Sequence, residues 1–156
     1  MQFVWRSIAE PGAVAAALGE APGGGGAGGR LQKLHGSPGP PILNVVWPAH
    51  MTIQPHNHEM WALIGMYGGR EDNIFWRRLE GGRIEAAGAR SLSTGDVTPL
   101  GRDIIHSVTN PIARPSGAIH IYGGAFFDTP RSEWNPETLA EQAFDVEAAR
   151  RKFAGG

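Results

Sequence analysis

At 156 residues and 16.7 kDa the chain is long enough to bury a core of its own and short enough to need only one. Its 14 basic and 15 acidic residues leave a net charge of −1, so it lacks the positive excess that captures nucleic acid or anionic membrane, and neither is expected as a partner. The absence of cysteine excludes disulfides, thiolate metal sites and a cysteine nucleophile. Residues 1–6 lack a basic start followed by an apolar run, and no stretch approaches the roughly 20 apolar residues of a membrane helix, so a cytoplasmic protein is expected.

Residues 1–21 read as an N-terminal helical arm. Pro11 suits a first helical position, residues 13–18 have high helix propensity, and Gly19 suits a stop. Residues 22–29 (Pro-Gly-Gly-Gly-Gly-Ala-Gly-Gly) form a connector with almost nothing to bury. Lacking a preceding strand and a Lys-Ser/Thr pair, the run is not a phosphate-binding loop. From 42 to 127 the chain reads as a β-barrel or sandwich. Apolar or β-branched runs at 42–47, 61–67, 74–76, 104–108 and 118–122 are separated by turn signals such as Gly68-Gly69, Glu80-Gly81-Gly82 and Thr94-Gly95-Asp96. No helix-length pattern interrupts them, which argues against a parallel βαβ fold. Residues 135–153 read as two C-terminal helices. Asn135-Pro136-Glu137 supplies a cap, a first-turn proline and an acid, and a second helix runs from Asp145 to a solvated basic end at Arg150-Arg151-Lys152. The expectation is a single domain over 1–156 with an all-β core, a short N-terminal helix and C-terminal helices.

Six histidines occur, at 35, 50, 56, 58, 106 and 120. In Pro55-His56-Asn57-His58 the two imidazoles share one face if the segment is a strand, since side chains alternate with a period of two. On spacing alone the pair reads either as surface histidines in a loop or as two metal ligands awaiting a third. Farther on, Pro99-Leu100-Gly101 turns the chain, and a strand carrying His106 follows. His35 and His50 have no partner at a ligand spacing and read as structural or exposed.

Taken together, His56-x-His58, the glycines at 68 and 69, the Pro99-x-Gly101 turn and His106-x-x-x-Asn110 resemble the two motifs of the cupin family over residues 42–127. That resemblance implies a double-stranded β-helix (jelly-roll) barrel holding a metal through His56, His58 and His106. Two departures stand out. Cupins usually place a Glu four or five residues past the second histidine, where this chain has Ala62 and Leu63, and Glu59 would point to the opposite face. The Pro-x-Gly turn also lies farther from His106 than usual.

A three-histidine cupin without a carboxylate resembles the cysteine dioxygenase type of thiol dioxygenase. That family carries a Ser-x-His-x-Tyr strand, matched here by Ala118-Ile119-His120-Ile121-Tyr122 with only the Ser replaced. It also has a Trp nine residues before the first metal histidine, matched by Trp47. The resemblance implies Fe(II), with Zn, Ni, Cu or Mn as other ions such a site accepts, and a small thiol oxidised by O₂ to its sulfinate. It further implies that Tyr122, bonded to His120, donates a hydrogen bond to oxygen or to the substrate head group. On their own, His120 and Tyr122 also read as a buried core pair, and Trp47 as core. A cysteine–tyrosine crosslink cannot form here. An ungapped count back from Trp47 places the family's carboxylate-binding arginine at Arg30, which reads equally as a solvated residue beside the glycine run. Trp61, with Met51 and Met66, reads as pocket lining or plain core, and Arg70 as a turn salt bridge. Cupins often dimerise, so a homodimer with the N-terminal arm crossing over is an expectation. The competing readings are a cupin isomerase or lyase using its metal as a Lewis acid, and a cupin that only holds a small ligand.

Overall fold

The structure is a computed structural model that describes residues 9–18 and 28–155. Much of the expected arm (1–21) and connector (22–29), including Gly19, lies outside the described residues. Among the described residues, eleven strands form two antiparallel sheets. The first has the order β1-β2-β9-β4-β7, built from β1 (Arg30–His35), β2 (Ile42–Trp47), β9 (Ser116–Tyr122), β4 (Ala62–Gly68) and β7 (Val97–Leu100). The second has the order β11-β10-β3-β8-β5-β6, from β11 (Glu141–Ala143), β10 (Ser132–Trp134), β3 (Thr52–Asn57), β8 (Ile105–Thr109), β5 (Arg70–Arg78) and β6 (Ile84–Ser93). Helix α1 (Pro11–Ala17) lies on the outside of the first sheet, and α2 (Val146–Gly155) lies near the chain's end. No helix among the described residues is long and apolar enough to cross a membrane.

The inner faces of the sheets form the main core, with Leu43, Val45, Ile64, Met66, Leu92, Val108 and Ala118 all nearly inaccessible. Strand β9 is buried at every position, because its outer face is covered too. Ile119 and Ile121, with Leu63 and Tyr67, pack against Ala15, Val14 and Leu18 of the α1 region. Burial on both faces is why β9 carries apolar residues on both, Ile119 and Ile121 on one and Ala118 on the other, with His120 as the polar exception.

Between β4 and β5 the chain passes from one sheet to the other. Gly69 makes that corner with φ +78, and a Cβ there would sit 2.9 Å from the Ser116 Cα, so only glycine fits without strain. Ser116 Oγ accepts the next amide, Arg70 N, at 2.9 Å. Asn110, fully buried, ties the loop after β8. Its amide donates to the carbonyls of Trp47, Pro48 and Arg114, while its oxygen accepts from Ile112 N and Ser116 Oγ.

Two expectations are corrected. The β region begins at Arg30 rather than 42, because β1 pairs with β2 along its length while only Leu31 turns inward, leaving no apolar run to see. No helix starts at Asn135. The Asn135 side chain does accept from Glu137 N and Thr138 N, but the turn closes at Leu139 (φ +55) into a β10–β11 hairpin. One helical turn gives too few bonds to offset nucleation. The hairpin instead buries Trp134 against Ile84 and Ile105, and its indole donates to Gly82 O at 3.0 Å. The second C-terminal helix is present, capped by Asp145 Oδ1 accepting from Ala148 N at 2.8 Å.

Candidate metal centre

His56 lies on β3 and His106 on β8, and antiparallel pairing sets them directly opposite each other. His58, just past the end of β3, shares the face of His56 by alternation. The three ring centroids are 4.7, 5.0 and 5.1 Å apart, and one nitrogen of each ring lies within 4.8 Å of the others. All three residues are buried. Among the described residues this is the one cluster of three potential ligands so arranged.

The outer nitrogens fix the chemistry of the inner ones. His56 Nδ1 sits 2.9 Å from Gln54 O, and a carbonyl can only accept, so Nδ1 carries the hydrogen and Nε2 is bare. His106 Nδ1 sits 2.9 Å from Asn73 Oδ1, which likewise leaves its Nε2 bare. Burial lowers His56 to about 4 and holds His58 and His106 well below their ordinary values, so all three are neutral donors at neutral pH. His58 Nε2 and His106 Nε2 are 3.4 Å apart. Two nitrogens bound at about 2.0–2.1 Å to one tetrahedral ion stand about 3.3–3.4 Å apart, so the donor set fits a divalent metal. Among the described residues no carboxylate joins it. Ala62 carries no donor, Leu63 packs on the α1 side, and Glu59 instead accepts from Asn57 Nδ2 at 2.7 Å.

The histidines face a cavity of about 60 Å³, enough for a small ligand. Its walls are mostly apolar, with Trp47, Phe126, Phe127, Phe144 and Phe153 prominent. Tyr122 and His120 also line it. The Tyr122 hydroxyl lies 2.9 Å from His120 Nδ1, and its ring touches His58 (5.2 Å) and stacks on Phe126 (3.9 Å). Burial raises the Tyr122 phenol well above its ordinary value, against the pull of the Arg131 charge.

Trp47 lines the cavity and meets Phe153 at 5.1 Å. Two substrate contacts expected from the sequence lie elsewhere. Arg30 is exposed, because alternation along β1 turns Leu31 inward and its neighbour out. Trp61 is 49% exposed and lies over Gly123, outside the cavity. Met51 and Met66 belong to the core. Arg70 makes the expected turn pair with Asp72, at 2.8 Å.

The cation that does line the cavity is Arg131, absent from the sequence reading. Its guanidinium sits over Phe126 (4.5 Å) and Phe144 (4.3 Å) and donates to Phe126 O. Its Nε has no partner, and burial lowers its basicity. No local spacing marks it, since the rings that hold it come from both sides in sequence. Asn73 and Glu71, also missed, come from β5, which no motif covers.

No family model matches the chain. Among solved structures it is similar to the DMSP lyase DddQ from Ruegeria pomeroyi, with 21% identity, 70% of this chain and 53% of that chain covered, and a TM-score of 0.53. It thus spans about half the length of that lyase chain. It is also similar to an RmlC-like cupin with a double-stranded β-helix fold from Methanocaldococcus jannaschii (10% identity, 62% and 81% covered, TM-score 0.52). An oxalate oxidase structure matches with 15% identity, 64% and 53% covered, and a TM-score of 0.50. The fold is that of the cupin double-stranded β-helix, here enclosing a buried cluster of three histidines.

Proposed function

We propose that the protein is a metal-dependent enzyme that holds Fe(II) through His56, His58 and His106 and oxidises a small mercaptocarboxylate or cysteine-like thiol to its sulfinate with O₂. The observation that carries this reading is the convergence of three neutral, buried imidazoles without a carboxylate. Bound there, iron(II) would supply the site where thiolate and O₂ are brought together and both oxygen atoms pass to sulfur.

The chain's own residues do the rest. Arg131, clamped between two phenyl rings, is placed to receive the substrate's anionic group by charge-assisted hydrogen bonds. Phe126, Phe127, Phe144 and Phe153 keep bulk water away, which strengthens every polar contact inside. Tyr122, steered by His120, gives the apolar chamber a polar contact beside His58. The small cavity favours a compact substrate.

Oxygen consumption by the Fe(II)-loaded protein against cysteine, cysteamine, 3-mercaptopropionate and mercaptosuccinate tests this. Uptake matched one-for-one by sulfinate, lost in His106→Ala, is the expected result, with cysteamine poorest because it lacks a group for Arg131. Bound metal with no uptake on any thiol would move the reading to a cupin lyase or isomerase. That second reading is favoured by the Tyr122–His120 pair lining the cavity, a hydroxyl and an imidazole that can pass a proton between them beside the three histidines.

A further inference from the structure

Glu71, on β5, is fully buried, and neither of its carboxylate oxygens has a hydrogen-bond partner. Such a group costs several kcal/mol unless something donates to it. Across the interior, on β9 of the other sheet, His120 Nε2 is also buried and unpartnered, 4.0 Å from Glu71 Oε1. Ala118, on the same face two residues before His120, offers no polar atom. A small closure, or one bridging water, would satisfy His120 Nε2 and Glu71 Oε1 at once.

The other side of the imidazole is already engaged, with His120 Nδ1 2.9 Å from the Tyr122 hydroxyl. For an ionised Glu71, three hydrogen placements on His120 can be compared. With hydrogen on Nδ1 alone, the bare Nε2 lone pair would face the carboxylate lone pairs, which repel. With hydrogen on both nitrogens, His120 would form a buried ion pair with Glu71 and donate to Tyr122, at the cost of desolvating a second charge that the attraction across 4.0 Å has to offset. With hydrogen on Nε2 alone, the carboxylate gains a donor, and the bare Nδ1 accepts from Tyr122.

We propose that Glu71 is a positioning residue that holds His120 as the neutral Nε2–H tautomer, so that Tyr122 gives its hydrogen to His120 and turns its lone pairs to the cavity. This rests on the cavity being the substrate site. Tyr122 then acts as an acceptor there, and the matching ligand carries a hydrogen-bond donor (N–H, O–H or S–H) near the histidines and its anionic group at Arg131.

Long-range proton–nitrogen NMR correlation on the metal-free, histidine-labelled full chain reads the tautomer directly, with His120 assigned by its loss in His120→Gln. The expected spectrum shows a protonated Nε2 and a bare Nδ1. In Glu71→Leu that preference is lost and the signals shift towards protonated Nδ1. In Glu71→Gln, whose amide oxygen still accepts, the preference is kept. A protonated Nδ1 in the wild-type protein overturns the proposal, as does an unchanged tautomer in Glu71→Leu. The wild-type spectrum decides even if the leucine variant fails to fold. Because no turnover is involved, a protein inactive on every thiol would refute the dioxygenase reading and leave this result standing.

Discussion

His56 is neutral in the fold because it is buried, and that neutrality has a measurable cost at low pH. Its value is about 4 in the folded protein against 6.5 for an unhindered histidine, so between those limits the unfolded chain binds the extra proton. Stability of the metal-free protein therefore falls as pH drops through that window, by about 3 kcal/mol from His56, with His58 and His106 adding in the same direction. Urea midpoints in chelator at pH 7 and pH 4.5 check this, and equal midpoints would contradict it. Asn73 orients His106, so Asn73→Ala should weaken metal binding roughly 10–100-fold, as read by chelator competition. Arg131→Met should raise KM for mercaptocarboxylates by about 10–100-fold while leaving cysteamine little changed, if the guanidinium holds the anionic group. At this scale the sequence showed the residues that share a strand, because a period of two needs no knowledge of the fold. His56 with His58, and His120 with Tyr122, were legible for that reason. Asn73 and Glu71 were not, since β5 meets His106 only by pairing with the distant β8 and meets His120 only across the two sheets.

The turn signals located the strands and the corner at Gly69, and burial on both faces made β9 conspicuous. The failures share a cause. A capped first turn at Asn135 is a local signal, while the anchors of the hairpin are distant: Trp134 against Ile84 and Ile105, and Glu133 accepting from Gln54 and Gln142. Where a segment is short, those tertiary contacts outweigh propensity. Asp145 shows the contrary case, a cap with a ten-residue helix behind it. Asp145→Ala should cost about 1 kcal/mol of unfolding free energy, visible in denaturant melts. Because Val146, Ala149 and Phe153 of α2 line the cavity, the same change should speed amide exchange in α2 before the barrel strands open.

For the whole molecule, β3 and β8 are neighbours in one sheet, so a metal ion would clamp a pairing that already exists rather than join the two sheets. Its stabilising effect is then simple mass action, about 2.7 kcal/mol at a hundredfold excess over Kd. For a chain of this length that should raise the unfolding midpoint by roughly 5–10 °C, as calorimetry with and without Zn(II) would show.

The cavity is roofed by residues that come late in the chain. Translation delivers residues 56–106 before Phe144 and Phe153. A refolding chain whose β3 and β8 had paired before that cover packed down would offer its histidines to free metal from an open chamber. Once the cover closes, exchange with free metal must wait for it to open. The finished protein should thus surrender a bound ion to a strong chelator far more slowly than the refolding chain captures one.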